Sequence, residues 1–228
     1  MNSFPYHMTL TKEKMKKIEN FAKGFFEGAS GCHDWRHVER VRNLALRIAK
    51  EEKADEKIVE AAALLHDIGR KEEMESKGSI CHAEKGAIVA RDILEKLGID
   101  QESIEAIAHC IASHRYRKGN IPETLEAKVI FDADKLDSIG AIGIARDFLF
   151  AGNAGSGNLY TGNEKRLAKT GKDYSYTEED SAILEYEVKL KFVAGKMMTK
   201  TGKNIARDRH LYMKDFFDRF WKEVEGKR

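Results

Sequence analysis

Only two prolines, Pro5 and Pro122, fall within 228 residues in which long stretches repeat apolar side chains at three- and four-residue steps among lysines and glutamates. An α-helix returns to the same face at that interval, so the pattern predicts an all-helical fold rather than a sandwich or barrel. Over residues 9–28, Leu10, Met15, Ile18, Phe21 and Phe25 form one such stripe, ended at Gly28-Ala29-Ser30-Gly31. Asp34 suits the N-cap of a second helix, through Val38, Val41, Leu44 and Ile48 to about Lys53, with His37 in its first turn. Asp55 opens a third, EKIVEAAALLHDIG, closed by Gly69.

The polar segment RKEEMESKGSIC reads as a loop leading to His82. A helix then runs through HAEKGAIVARDILEKLG to Gly98, and Ser103 starts another through Ile104, Ile107 and Ile111 to His114. After Pro122, LEAKVIFDADKLDSIGAIGIARDFLF reads as one helical stretch, too apolar for the surface and therefore central. Residues 151–176, rich in Gly, Asn and polar side chains, are expected to form a loop or lid. Helices resume from Glu178 to about Thr199 and over TGKNIARDRHLYMKDFFDRFWKEVEG, where Ile205, Leu211, Phe216, Phe217 and Phe220 are available for packing. The length suits a single domain with its core at about residues 30–150 and the helices of 178–225 packed on it.

The 40 basic and 38 acidic residues leave a formal charge of +2, so no global field marks the chain as a binder of nucleic acid or membranes. The basic stretches KRLAKTGK and KTGKNIARDR are the best case for nucleic acid, and a weak one. No apolar run approaches the roughly 20 residues of a membrane span, and the N-terminus lacks the apolar core of a signal peptide. Cys32, Cys81 and Cys110 are odd in number and lack CxxC spacing, which fits reduced thiols and a cytoplasmic protein. Each neighbours a histidine, yet small packed residues fit that placement at least as well as metal ligands do.

The chemistry concentrates in His66-Asp67, with His37 upstream in HDWRH and Asp134 downstream in DADKLD. Imidazole nitrogens with carboxylate oxygens favour Mn²⁺, Fe²⁺, Co²⁺, Ni²⁺ or Zn²⁺ over Mg²⁺ alone. An incomplete protein shell leaves positions for water and a phosphate. On a helix His66 and Asp67 point about 100° apart, so a shared ion sits between their directions and takes further ligands from other helices. Asp132 rivals Asp134 for one of these places, and His82, His109 and His114 offer nitrogens for a second ion. Arg36, Arg70, Lys71, Lys85, Arg115, Lys118 and Lys135 are the available cations, with Arg70 and Lys135 best placed for phosphate. Glu72 or Glu73 could act as a base, while Trp35 and Tyr116 could flank a nucleobase. His33 is expected beside the site or exposed, and His7 and His210 have no metal-like spacing.

The ordered motifs HDWRHVERV, ALLHDIGR, HAEKGA and FDADKLDSIGAIGIAR resemble the HD-domain superfamily of metal-dependent phosphohydrolases over about residues 30–150. The tail KTGKNIARDRHLYMKDFFDRF is similar to that of bacterial and archaeal members near the nucleotide pyrophosphohydrolases. The resemblance implies an all-α HD-domain bundle with a metal between central helices, held by His37, His66, Asp67 and Asp134, and Asp137 steadying a neighbour. Asp67, Glu72, Glu73 and His82 become the catalytic candidates; Arg70, Lys71, His82, His114 and Lys135 become candidates for binding substrate. SHRYRKGN departs from the glycine-rich motif of the binuclear phosphodiesterases, which argues against cyclic dinucleotides. The implied reaction is hydrolysis of a nucleoside or deoxynucleoside triphosphate to monophosphate and pyrophosphate by hydroxide generated at the metal. The alternatives are a nucleotide monophosphate, another phosphomonoester or phosphodiester, or a non-catalytic nucleotide- or metal-binding regulatory domain. The partner is a small-molecule nucleotide, and a homodimer is left open.

Overall fold

The structure, a computed structural model, describes residues 10–28, 31–76, 78–115, 120–154, 158–174, 177 and 179–228. His7, Tyr116, Lys118 and Glu178 lie outside the described residues. Every regular element among those described is helical. They fall into two compact units, residues 1–29 with 33–133 and residues 30–32 with 134–228.

The first unit holds α1 (Lys12–Phe25), α2 (Trp35–Glu52), α3 (Glu56–Leu65), α4 (Arg70–Glu75), α5 (His82–Lys96), α6 (Gln101–Ser113) and most of α7 (Leu125–Asp137). Side-chain oxygens satisfy open amides at the helix starts, Thr124 accepting from Ala127 N at the start of α7. Thr11 accepts from Lys14 N, Asp34 from His37 N, Asp55 from Lys57 N and Ile58 N, and Asp100 from Ser103 N. Caps of this kind are each worth about 1 kcal/mol. α3 is the middle of the unit: Val59, Ala61, Ala62, Ala63, Leu64 and Leu65 are all sealed from solvent, and α1, α2 and α6 pack on it. Its small residues let those helices approach closely, and its polar edge is left to Glu56, Lys57 and Glu60, the last paired with Arg42. The α1 stripe is Met15, Ile18 and Ala22; Phe21 is half exposed, and Phe26, at the C-cap, is buried.

Several boundaries differ from the sequence reading. RKEEMESKGSIC is no loop at its start, because Arg70–Glu75 forms α4. α6 begins at Gln101, since Asp100 and not Ser103 supplies the cap. The stretch expected as one helix breaks at Ser138-Ile139: α7 ends at Asp137, and α8 (Gly140–Ala154) starts with Gly140 at φ +80°, a conformation that favours glycine.

The second unit contains the end of α7, α8, α9 (Glu164–Leu167), α10 (Ala182–Val188) and α11 (Lys200–Val224). Two arginines satisfy the carbonyls left open where α7 ends. Arg146 donates to Asp137 O at 3.1 Å and to its carboxylate at 2.6 Å, and Arg209 donates to Leu136 O. α8 is less central than expected, with Ile142, Leu149 and Phe150 exposed. The long helix expected up to Thr199 is α10 followed by 3₁₀ turns over Leu190–Lys196. Residues 151–176 include the end of α8, all of α9 and a 3₁₀ turn at Ala168–Thr170. α11 runs as predicted and packs on α8, where Phe216 meets Phe148 edge-on and Met213 is buried near Gly143; Phe217 stacks on Tyr186 of α10, whereas Leu211 faces outward.

Asp147 on α8 is buried, and its Oδ2 accepts no hydrogen bond among the described residues. Burial first, and then the carboxylates of Glu185 and Asp180, push its carboxyl up to about 8 against the pull of Lys189 and Arg146. The folded protein therefore keeps a proton that the unfolded chain gives up near pH 4, so stability falls as pH rises from about 4 to 8. Asp147→Asn should remove a slope of about 1 kcal/mol per pH unit in that window. Thermal melts of both proteins at pH 5, 7 and 9 check this: the variant's advantage should grow between pH 5 and 8 and then level off.

Candidate metal centre

α3 ends at Leu65; His66 is its C-cap, and His66–Gly69 form the turn into α4. The His-Asp pair thus lies on a turn rather than within a straight helix. Asp67 is sealed from solvent, and its two oxygens face different histidines. Oδ2 accepts from Arg70 Nε at 3.0 Å and lies 3.4 Å from His33 Nδ1, 3.6 Å from His37 Nε2 and 3.7 Å from His66 Nε2. Oδ1 lies 3.1 Å from His82 Nε2 and 3.6 Å from His114 Nε2, yet accepts no hydrogen bond among the described residues.

The far side of each ring fixes which nitrogen carries the proton. His66 Nδ1 donates to Ala63 O and His114 Nδ1 to Ile111 O, both at 2.7 Å, because a carbonyl only accepts. His82 Nδ1 sits 2.6 Å from Glu73 Oε2, a distance that requires a proton between nitrogen and carboxylate. Neutral His66, His82 and His114 therefore present Nε2 lone pairs inward. His82 Nε2 and His114 Nε2 are 3.1 Å apart, and His37 Nε2 and His66 Nε2 are 3.2 Å apart. Lone pairs and a carboxylate oxygen this close repel unless a cation lies among them.

A proton is a poor occupant at His82, since burial lowers its affinity for a second proton despite Asp67. Two donor groups, His33/His37/Asp67 and Asp67/His82/His114, bring their ligand atoms within 4.8 Å of one another, the spacing and N/O chemistry that suit a divalent ion. Burial penalises the charge on Asp67, but Arg70 and the surrounding histidines hold its carboxyl well below the usual range. Burial likewise pushes His33 down to about 4 against the pull of Asp67.

Glu73 is the hub behind this arrangement. It accepts from His82 Nδ1, from Arg70 Nη1 at 3.1 Å and from Arg115 Nη1. Burial opposes its charge, and the His82 and Arg115 hydrogen bonds outweigh that and lower its carboxyl. Glu72, next to it on α4, keeps a buried Oε2 that accepts no hydrogen bond among the described residues. Such networks of carboxylates holding ligand imidazoles tune both ring orientation and basicity.

Other candidates have separate surroundings. His109 Nε2 accepts from Glu123 N at 3.2 Å and so is committed away from the cluster. Lys71 is exposed, and Arg36 pairs with Glu39 at 3.1 Å. Trp35 donates to Glu39 and packs edge-on against Phe26. Asp132 is fully buried on the first-unit part of α7. Asp134 opens the second unit and pairs with Lys135 at 2.8 Å. Two residues apart on a helix, Asp132 and Asp134 diverge by about 200°. The three cysteines are free thiols, and none belongs to the His/Asp groups found among the described residues. His33 is the member that sequence reasoning undervalued; its signal was the HxxxH spacing to His37, although it reaches Asp67 from a 3₁₀ turn ahead of α2.

The HD domain family matches residues 34–139. YpgQ of Bacillus subtilis is 32% identical over 221 residues, covering 94% of this chain and 95% of that protein. The crystal structure of YpgQ in complex with ADP superposes with a TM-score of 0.72 at 29% identity, over 94% of this chain and 97% of that one. An HD-superfamily hydrolase from Bacillus thuringiensis gives a TM-score of 0.71 at 31% identity, over 95% and 99% of the two chains. With its buried Asp67 ringed by imidazoles and its all-helical frame, this chain belongs to the HD superfamily of hydrolases.

Proposed function

We propose that the protein hydrolyses nucleoside or deoxynucleoside triphosphates to the monophosphate and pyrophosphate. The observation that carries this is the Asp67 carboxylate, buried between imidazole nitrogens whose outer Nδ1–H groups are already committed. The ADP bound to YpgQ supports a nucleotide as the ligand. His37, His66 and Asp67 would hold the ion, with Asp134 entering on the family resemblance and Asp132 its rival. His82 and His114 would contact phosphate or hold a second ion with Asp67. A bound divalent ion supplies charge to the phosphoryl oxygens and acidifies water.

The chain's own groups do the rest. Arg70 and Arg115 balance the carboxylates of Asp67 and Glu73, so the site can accept a polyanion without a large excess of buried negative charge. Glu72, with an uncommitted oxygen, takes the proton from the attacking water; Glu73 positions His82. Glu72→Gln should therefore lower kcat about 100-fold with bound metal unchanged. Glu73→Gln should instead weaken metal binding about 10- to 100-fold, with turnover recovering as metal is raised. Metal content and kcat measured across metal concentration separate the roles; the opposite pattern would exchange them.

Ion-exchange analysis of products from the Mn²⁺-loaded protein and a panel of NTPs and dNTPs tests the reaction, with His66→Ala as control. Monophosphate plus pyrophosphate is expected. Nucleoside plus triphosphate, or release of single phosphates, would overturn the cleavage point, and turnover unchanged in His66→Ala would overturn the site.

A further inference from the structure

The KRLAKTGK segment, which the proposed reaction leaves unused, builds one wall of a cavity of about 690 Å³ within the second unit. Lys165, Lys169 and Lys172 line it from α9, the 3₁₀ turn and the chain beyond Gly171; Glu187, Val188, Lys191 and Phe192 line it from α10 and the turns that follow. The wall has a built-in shape. Leu167 is buried beneath it, Thr170 donates to Leu167 O at 2.8 Å, and Gly171 turns the chain at φ +67°.

Four lysines and two carboxylates, Asp173 and Glu187, line this space. Lys191 is paired with Glu187 at 2.7 Å, but Lys169 and Lys172 form no ion pair among the described residues. Lys165 on α9 and Lys169 on the 3₁₀ turn both line the space, and Lys165 Nζ also lies 6.0 Å from the centre of the Trp221 ring. Glu164 does not pair with them, since its carboxylate is buried and accepts from Thr161. The opposite wall carries two exposed apolar side chains beside the Glu187–Lys191 ion pair: Phe192 is 55% exposed and Val188 40% exposed, with Lys191 Nζ 5.1 Å from the centre of the Phe192 ring. Cations on one side and an exposed aromatic face on the other match a ligand with a phosphate chain at one end and a flat base at the other. The volume falls in the range of small-molecule sites.

We propose that this cavity is a second nucleotide site, which takes the phosphates of a nucleoside polyphosphate on Lys165, Lys169 and Lys172 and its base on Phe192 and Val188. It uses none of the histidines or carboxylates of the metal centre and stands whether or not the proposed reaction does.

Equilibrium dialysis of the full, Mn²⁺-loaded chain with α,β-methylene-ATP, which resists cleavage between those phosphates, tests it. Any equivalent bound at the metal centre is identified as the one that His66→Ala removes. A further equivalent should remain in His66→Ala, weaken at least tenfold in Lys169→Glu/Lys172→Glu, and lose affinity on raising salt. Turnover and the thermal melt should be unchanged in the double lysine variant. Phe192→Ser should weaken α,β-methylene-ATP several-fold while sparing inorganic tripolyphosphate, which distinguishes a base contact from simple capture of phosphate. No further equivalent in His66→Ala, or one indifferent to the lysine changes, overturns the proposal. So does equal loss of both probes in Phe192→Ser, or retention of single-stranded RNA alone.

Discussion

Asp67→Asn is expected to abolish turnover, by at least about 10³-fold or roughly 4 kcal/mol of transition-state stabilisation. The substitution keeps the shape of the side chain and removes the one charge toward which His33, His37, His66, His82 and His114 all converge. An amide also brings an N–H donor into a cluster of lone pairs and weakens the grip of Arg70. A stability readout accompanies the kinetic one. An ion bound only by the folded protein at 100 times its Kd adds about 2.7 kcal/mol, or some 5–10 °C in Tm for a chain of this size. EDTA should lower the melting temperature of the wild type by that order and leave Asp67→Asn where it was. A metal analysis that found full occupancy in the variant would remove Asp67 from the ligand set.

Gly69→Ala should be the most damaging change outside the donor set. A Cβ at position 69 would lie 2.4 Å from His82 O and 2.9 Å from Gly86 N, both backbone atoms with no side-chain freedom to yield. Backbone has to separate at the contact between the HD turn and the start of α5. Overpacking of this severity costs about 3 kcal/mol, or roughly 6–12 °C in Tm. The same displacement carries His82 away from Asp67, so metal affinity should fall with stability. The backbone conformation is no obstacle, since φ is −89° at Gly69; the close approach of α5 is. Gly86 faces the same contact from the other side. A melting temperature within 2 °C of wild type, by calorimetry, would remove this account.

Much of the fold was legible because its signals are local. Asp34 and Asp55 cap their own helices, Gly98 follows α5, and the α11 stripe repeats along a continuous helix. What was misread depended on distant partners. Phe21 fits the α1 stripe by spacing, yet it is half exposed while Phe26 is buried, because which apolar side chain is covered depends on the helix opposite. The stretch after Pro122 has helical composition throughout, and its break is set by Arg146 and Arg209 holding carbonyls that the end of α7 exposes. Glu72 and Glu73 are indistinguishable in sequence; only the approach of His82 and Arg115 separates a committed carboxylate from an open one.

The residue types and their order already determined an all-helical HD-family chain with a His/Asp donor set, because helical periodicity and ligand chemistry reside in single residues and short spacings. Tertiary structure alone decided that Asp67 faces two groups of histidines, that His33 and His114 join them while His109 turns away to Glu123, and that four lysines of the second unit share one cavity. Those outcomes depend on the directions of side chains carried by different helices. Such directions are set by packing contacts, chiefly the Gly69–His82–Gly86 approach at the metal centre, which no local pattern encodes.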